Sequence, residues 1–282
     1  MISRLSGALI RAMLVVLLIA TPSLLLPGVS PDAKQIVALV AIFGAALTIF
    51  EYASAYPGLV EFRDAPPFNR IRFVSLFVTV LLLTLVSRGN ADATTLTRFV
   101  QAVGTLIGIA IDFPYSPVRL VVLMLPQDVS PEHIILVRTA AGLAYLISLL
   151  TLAVFLIVLR LKNWPRSNGT FNVWINLPTF DPTAGKDVVQ RLERDARFNV
   201  VLGFWLPFLT PIAVKGAASL FGSVTLEDPQ TLIWTVSAWA FLPASLFMRG
   251  IALGKVARMI AEKRRKTYAE QEHTETGTVP AT

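Results

Sequence analysis

Apolar residues along this chain gather into six runs, at 12–26, 36–50, 71–86, 134–159, 200–221 and 231–253, parted by short polar loops. About 20 apolar residues are what a helix needs to cross a hydrocarbon layer of roughly 30 Å. Lipid offers a backbone no hydrogen-bond partners, so each run must satisfy its own amides as a helix. The pattern predicts an all-α polytopic integral membrane bundle. Its expected spans lie at about 12–27, 36–56, 71–87, 133–160, 200–221 and 231–254.

Between the third and fourth runs the pattern changes. Two shorter apolar pieces, 99–111 and 118–125, flank the polar turn Asp112-Phe113-Pro114-Tyr115-Ser116-Pro117. At about 1.5 Å per residue they reach only about 20 and 12 Å. A re-entrant helical hairpin over about 95–126 fits them, and two tilted extra spans, eight in all, are the rival reading. Helix starts repeat in one form: Ser30-Pro31, Ser116-Pro117, Ser130-Pro131, Asp181-Pro182 and Asp228-Pro229 each set a capping side chain before a proline suited to the first helical position.

Polar positions set the threading. Nineteen of the 25 Lys and Arg residues fall before the first run, in the loop at 63–72, in the stretch 160–197 and from Arg249 onward. The opposite loops hold only Lys34, Arg88 and Arg98. Basic loops stay in the cytoplasm, which predicts a bacterial inner-membrane protein with both termini inside. Arg4 and Arg11 before an apolar stretch also resemble a signal peptide. The apolar run continues past Leu24 without a clear cleavage site, so a retained first span is the expectation.

Composition narrows the classes. Hydrophobic residues make up 54% of 282 positions and charged residues 15%, with a mean hydropathy of +0.64; soluble domains carry about 25% charge. One transmembrane domain over 1–267 and a disordered tail over 268–282 are expected. The net charge of +7 reflects cytoplasmic loops and not nucleic acid. With no cysteine, and only His133 and His273 far apart, no cofactor and no metal are expected.

Charges inside spans are the candidate functional residues, because each is costly in hydrocarbon. Glu51 lies near the cytoplasmic end of the second span and Lys215 near the opposite end of the fifth long run. They should not pair, and either an interfacial anchor or an ion relay would suit them. Asp112 at the hairpin tip needs a donor, and Arg119 is one turn beyond. Arg138 should reach back to headgroups. A helix over 182–197, with a stripe of Val188, Val189, Leu192 and Ala196, should lie on the cytoplasmic leaflet or form a docking face for a partner. The flanking basic residues favour lipid contact. Arg191, Arg194, Lys263, Arg264, Arg265 and Lys266 are then contacts to anionic lipid headgroups. Pro22, Pro27, Pro207, Pro211 and Pro243 open helix backbones. Small-residue faces at Gly104/Gly108, Gly250/Gly254, 140–144 and 216–219 suit close helix packing. Trp205 and Trp234 suit the aromatic belt, and the Asn168-Gly169-Thr170 glycosylation pattern is accidental on the cytoplasmic side.

No phosphate loop, zinc-protease pattern or serine-hydrolase elbow appears. The expectation is no enzyme but an accessory or scaffold subunit that packs in a membrane complex, with the bilayer and other membrane subunits as partners. The alternative is a small transporter or channel using the hairpin with Glu51 and Asp112. A membrane-embedded enzyme acting on lipid comes third.

Overall fold

The computed structural model describes residues 2–165, 171–181, 183–185, 187–221 and 226–277. Arg166, the Asn168 acceptor pattern, Pro182, Lys186 and the tail beyond Gly277 lie outside the described residues, as does the side chain of His273. The chain is about 80% helical, with no strand among the described residues. The helices are α1 (Ile2–Leu25), α2 (Pro31–Ala53), α3 (Phe68–Ala91), α4 (Thr95–Ile111), α5 (Pro117–Met124), α6 (Pro131–Leu161), α7 (Val173–Asn176), α8 (Val188–Phe221) and α9 (Pro229–Gly277). Six of these, α1, α2, α3, α6, α8 and α9, are long and apolar enough to cross a membrane.

Four of the five Ser-Pro and Asp-Pro signals begin helices; at the fifth, Asp181 accepts from Thr183 in a turn and the next helix begins only at Val188. Ser30, Ser116 and Ser130 accept from the amides of Ala33, Arg119 and His133, and Asp228 accepts from Thr231. Each cap satisfies one of the donors that a helix start leaves open. α4 begins instead with a reciprocal pair, Thr94 and Thr97, each side chain bonding the other's backbone.

α8 and α9 form a long antiparallel hairpin, α1 and α2 another, and α3 and α6 join α9 at the centre. One apolar core lies where Val80, Leu83, Val137, Ala140, Leu232 and Ile233 meet. A second gathers Phe62, Phe68, Phe155, Trp164, Leu177, Leu192 and Met248 at the other end. α2 packs on α1 and makes no other substantial helix contact. Its row Ile36, Leu39, Val40, Phe43, Leu47 and Phe50 is left bare.

Two expected elements differ. The helix expected over 182–197 is not a separate surface helix: α8 runs unbroken from Val188. Its stripe is buried against α9, with Leu192 and Ala196 in the second core. A narrow apolar stripe suits a neighbouring helix as well as it suits a leaflet. Of the tail expected to be disordered over 268–282, the part up to Gly277 continues α9, and the remainder lies outside the described residues. Polar residues without apolar periodicity can still be helical, and Ala269, Glu270, Gln271 and Glu272 are good helix formers.

Candidate functional site

Two polar clusters stand at opposite ends of the bundle. The larger is built on the loop between α2 and α3. Glu51, in the last turn of α2, is 4% exposed. Its carboxylate accepts hydrogen bonds from the amides of Gly58, Leu59 and Val60 at 2.9–3.1 Å. Arg63 donates to the carbonyls of Glu51 and Ser54, closing the loop back on the helix end. Phe62 takes a left-handed φ of 52°. That conformation turns its amide toward the Asn176 carbonyl at 2.7 Å, with its ring 4.5 Å from Phe68 and 5.8 Å from Trp164.

Glu61, next in the loop, receives a two-pronged pair from Arg249 of α9 at 2.6 and 2.7 Å. Thr179 adds a third donor at 2.9 Å. Paired donors in this fork geometry are among the stronger polar contacts. Asp64 and Ala65 tie in Asn176 and Trp164 through one hydrogen bond each. The loop 54–67, the segment 171–181 and the middle of α9 therefore share one end, called here the basic end. Above them Arg72 lies between the rings of Phe68 and Phe241, 5.3 and 5.7 Å away, within cation–π range.

Arg191 and Arg264, expected at the lipid surface, are engaged within the protein. Arg191 donates to the carbonyls of Asp181 and Ala184 and covers the Phe180 ring. Arg264 pairs with Asp187 across the α8–α9 hairpin, and its guanidinium holds that carboxyl below the ordinary Asp range. Asp181 is likewise lowered, first by the Thr183 hydroxyl that donates to it. Arg194 lies 3.6 Å from Asp195 and stays open to solvent. Lys263, Arg265 and Lys266 are exposed.

The second cluster is the hairpin tip at the opposite end. Asp112, its side chain 4% exposed, lies 2.7 Å from Arg119 Nε and 3.6 Å from Arg138. Arg138, expected at the headgroups, instead turns inward, because a desolvated carboxylate draws a second cation. Arg119 also donates to the Asp112 carbonyl. Lys215 of α8 reaches the Leu123 carbonyl at 2.7 Å. It thus satisfies an open carbonyl in the last turn of α5, where the helix dipole favours a cation.

The hairpin lies across this end of the bundle. Gln101 donates to the Val86 carbonyl and Asn90 in the last turns of α3. Eleven residues on, Asp112 meets Arg138, two turns into α6. Between them Gly104 and Gly108 ride over Thr139, Gly142 and Leu143. α5, at 8 residues and about 12 Å, is too short to cross.

Of the expected proline breaks, Pro22, Pro207, Pro211 and Pro243 lie inside helices, whereas Pro27 falls beyond the end of α1 and breaks no helix. Pro211 has no amide to give the Pro207 carbonyl, and Trp239 donates its indole N–H there at 3.1 Å. Of the small-residue faces, Gly250 sits against Ala196 and Val200, and Ala140, Ala141 and Ala144 are fully buried. Gly216 faces open space.

Glu61 with Arg249, and Arg72, were missed from sequence. The signal was present: Arg249 interrupts Phe247-Met248-Arg249-Gly250-Ile251, inside the last apolar run, and required a counter-ion. Chemically, the carboxylates of Glu51 and Glu61 accept from several fixed donors. Asp112 is held by ion pairs to Arg119 and Arg138, and its buried Oδ1 has no hydrogen-bond partner among the described residues. No group of three His, Asp or Glu side chains able to hold a metal comes together among the described residues. The chain matches no known protein family, no curated protein and no solved structure. Fold and polar clusters together define a multi-helix membrane protein.

Proposed function

We propose that this protein is an accessory or scaffold subunit of a membrane complex, seated in a bacterial inner membrane with both termini in the cytoplasm. Bilayer lipid, anionic headgroups on the cytoplasmic side and other membrane subunits are its partners. The observation that carries this reading is α2. It rests on α1 alone and keeps a bare row from Ile36 to Phe50, although Glu51 anchors its end firmly to the folded loop. A helix held rigidly but left uncovered suits a surface meant for a neighbour within the membrane, where close packing drives association. The alternative, transport through the hairpin with Glu51 and Asp112, requires carboxylates free to exchange partners. The three backbone amides that hold Glu51 weigh against it there, while Asp112 is kept in place by its ion pair with Arg119.

The test is purification from native membranes in mild detergent, with a photo-reactive residue at Phe43 or, as control, at Leu149 of α6. A stoichiometric second protein, crosslinked from position 43 and not from 149, is the expected result. A clean monomer without site-dependent adducts would overturn the reading.

A further inference from the structure

A small basic recess lies at the basic end, where the turn after α6 meets α9. Asn163, Trp164 and Pro165 form one wall of a cavity of about 190 Å³, and Lys255, Arg258 and Glu262 form the other. Trp164 is buried and its indole donates to the Ala65 carbonyl, so this wall is fixed by the same loop that holds Glu61. Lys255 and Arg258 are one turn apart and project from the same face of α9. Arg160, at the end of α6, stands near enough to repel Lys255.

Among the described residues neither Lys255 nor Arg258 forms an ion pair, and the Arg258 Nε donates only to Gly254 within its own helix. Two cations, Lys255 and Arg258, therefore line a recess that has one carboxylate, Glu262, in its wall, with Arg160 a further positive charge close by. Holding like charges together this way is unfavourable unless an anion joins them. Arg63, Arg191, Arg249 and Arg264 on this end are matched to a carboxylate or to carbonyls, whereas Lys263, Arg265 and Lys266 are exposed farther out on α9 and lie outside this recess.

We infer that this recess binds the phosphate of an anionic glycerophospholipid, with Lys255 and Arg258 as its direct donors and Arg160 as a supporting charge. The volume is below the range of about 300–1,000 Å³ for whole small-molecule sites and suits a headgroup. The location argues for a lipid over a free anion. Lys255 follows the long apolar run 231–253 of α9, and Arg160 closes the apolar run of α6. Leu150, Val154, Ile157 and Leu161, spaced at helical intervals, form a bare apolar stripe on α6 that ends at the Asn163 turn. An acyl chain lying on that stripe brings its headgroup to the recess.

The inference rests on the membrane placement of this end but not on any subunit partner. The experiment is native mass spectrometry of the purified full chain in detergent with short-chain phosphatidylglycerol, phosphatidylcholine or inorganic phosphate. One phosphatidylglycerol per chain is expected, at least tenfold tighter than phosphatidylcholine. Lys255→Gln with Arg258→Gln should lose it by tenfold or more, and Lys255→Arg should keep it. Arg265→Gln with Lys266→Gln, on the same helix farther out, should bind as the native chain does. Equal losses in both double variants would show diffuse attraction and overturn the site. Binding of inorganic phosphate as tight as the lipid would overturn the lipid assignment. Failure of the Lys255→Arg variant to bind while remaining folded by circular dichroism would overturn the role of charge.

Discussion

Glu51 shows how one side chain at a helix end organises the loop beyond it. A carboxylate accepting three consecutive amides fixes the path of 58–60, and Arg63 returns to the same helix end from the other side. The site is nearly dry on the carboxylate side, so removal leaves donors to find water or go without. Glu51→Ala should lower stability by about 1–3 kcal/mol, the usual cost of a charged hydrogen-bonding group lost from a buried place. Thermal unfolding followed by tryptophan fluorescence in detergent would read it, and proteolysis within 54–61 should rise with it. An unchanged melting point and an intact loop would show that Glu51 is not an anchor. The residue was identifiable from sequence as a charge within a span, but its partners were not. They are backbone amides of Gly58, Leu59 and Val60, and amides carry no signature in a sequence.

At the scale of elements, the crossing of α4 over α6 depends on glycine at both sides. A Cβ on Gly142 would lie 2.6 Å from the Gly108 Cα, and one on Gly108 would lie 2.9 Å from the Arg138 carbonyl oxygen. Both neighbours are backbone and cannot swing aside. Gly142→Ala should therefore cost about 1–3 kcal/mol by forcing the helices apart. Gly216→Ala, which meets open space within the last two turns of α8, should be neutral or stabilise by about 0.5–1 kcal/mol through backbone entropy. Parallel melting curves of the two variants check the contrast, and equal effects would refute the packing role. The Gly104/Gly108 spacing was legible beforehand, as were the serine-capped helix starts, because both are local patterns. Gly142 as the facing partner was not, since nothing local says which small residue meets which. The same limit hid the fate of 188–197: its stripe of Val188, Leu192 and Ala196 announces burial without naming α9 as the cover.

For the whole molecule, the strongest link between charge and shape is that the basic loops are held together by direct bonds. Phe62 donates to the Asn176 carbonyl, Glu61 grips Arg249, Trp164 donates to Ala65, and Arg191 closes the turn at Asp181. Loops that touch cannot lie on opposite faces of a bilayer. The distribution of Lys and Arg in sequence then chooses the face, because basic loops resist export. With no native cysteine, single cysteines report cleanly. Tyr56→Cys and Glu193→Cys, both exposed at the basic end, should react with a membrane-impermeant maleimide only after permeabilisation. Gln127→Cys, exposed between α5 and α6, should react in intact cells. Labelling of Tyr56→Cys and Glu193→Cys from different sides would contradict the fold itself. Labelling of all three in reversed sense would leave the fold standing and invert its orientation, moving the Lys255 recess to the outer leaflet.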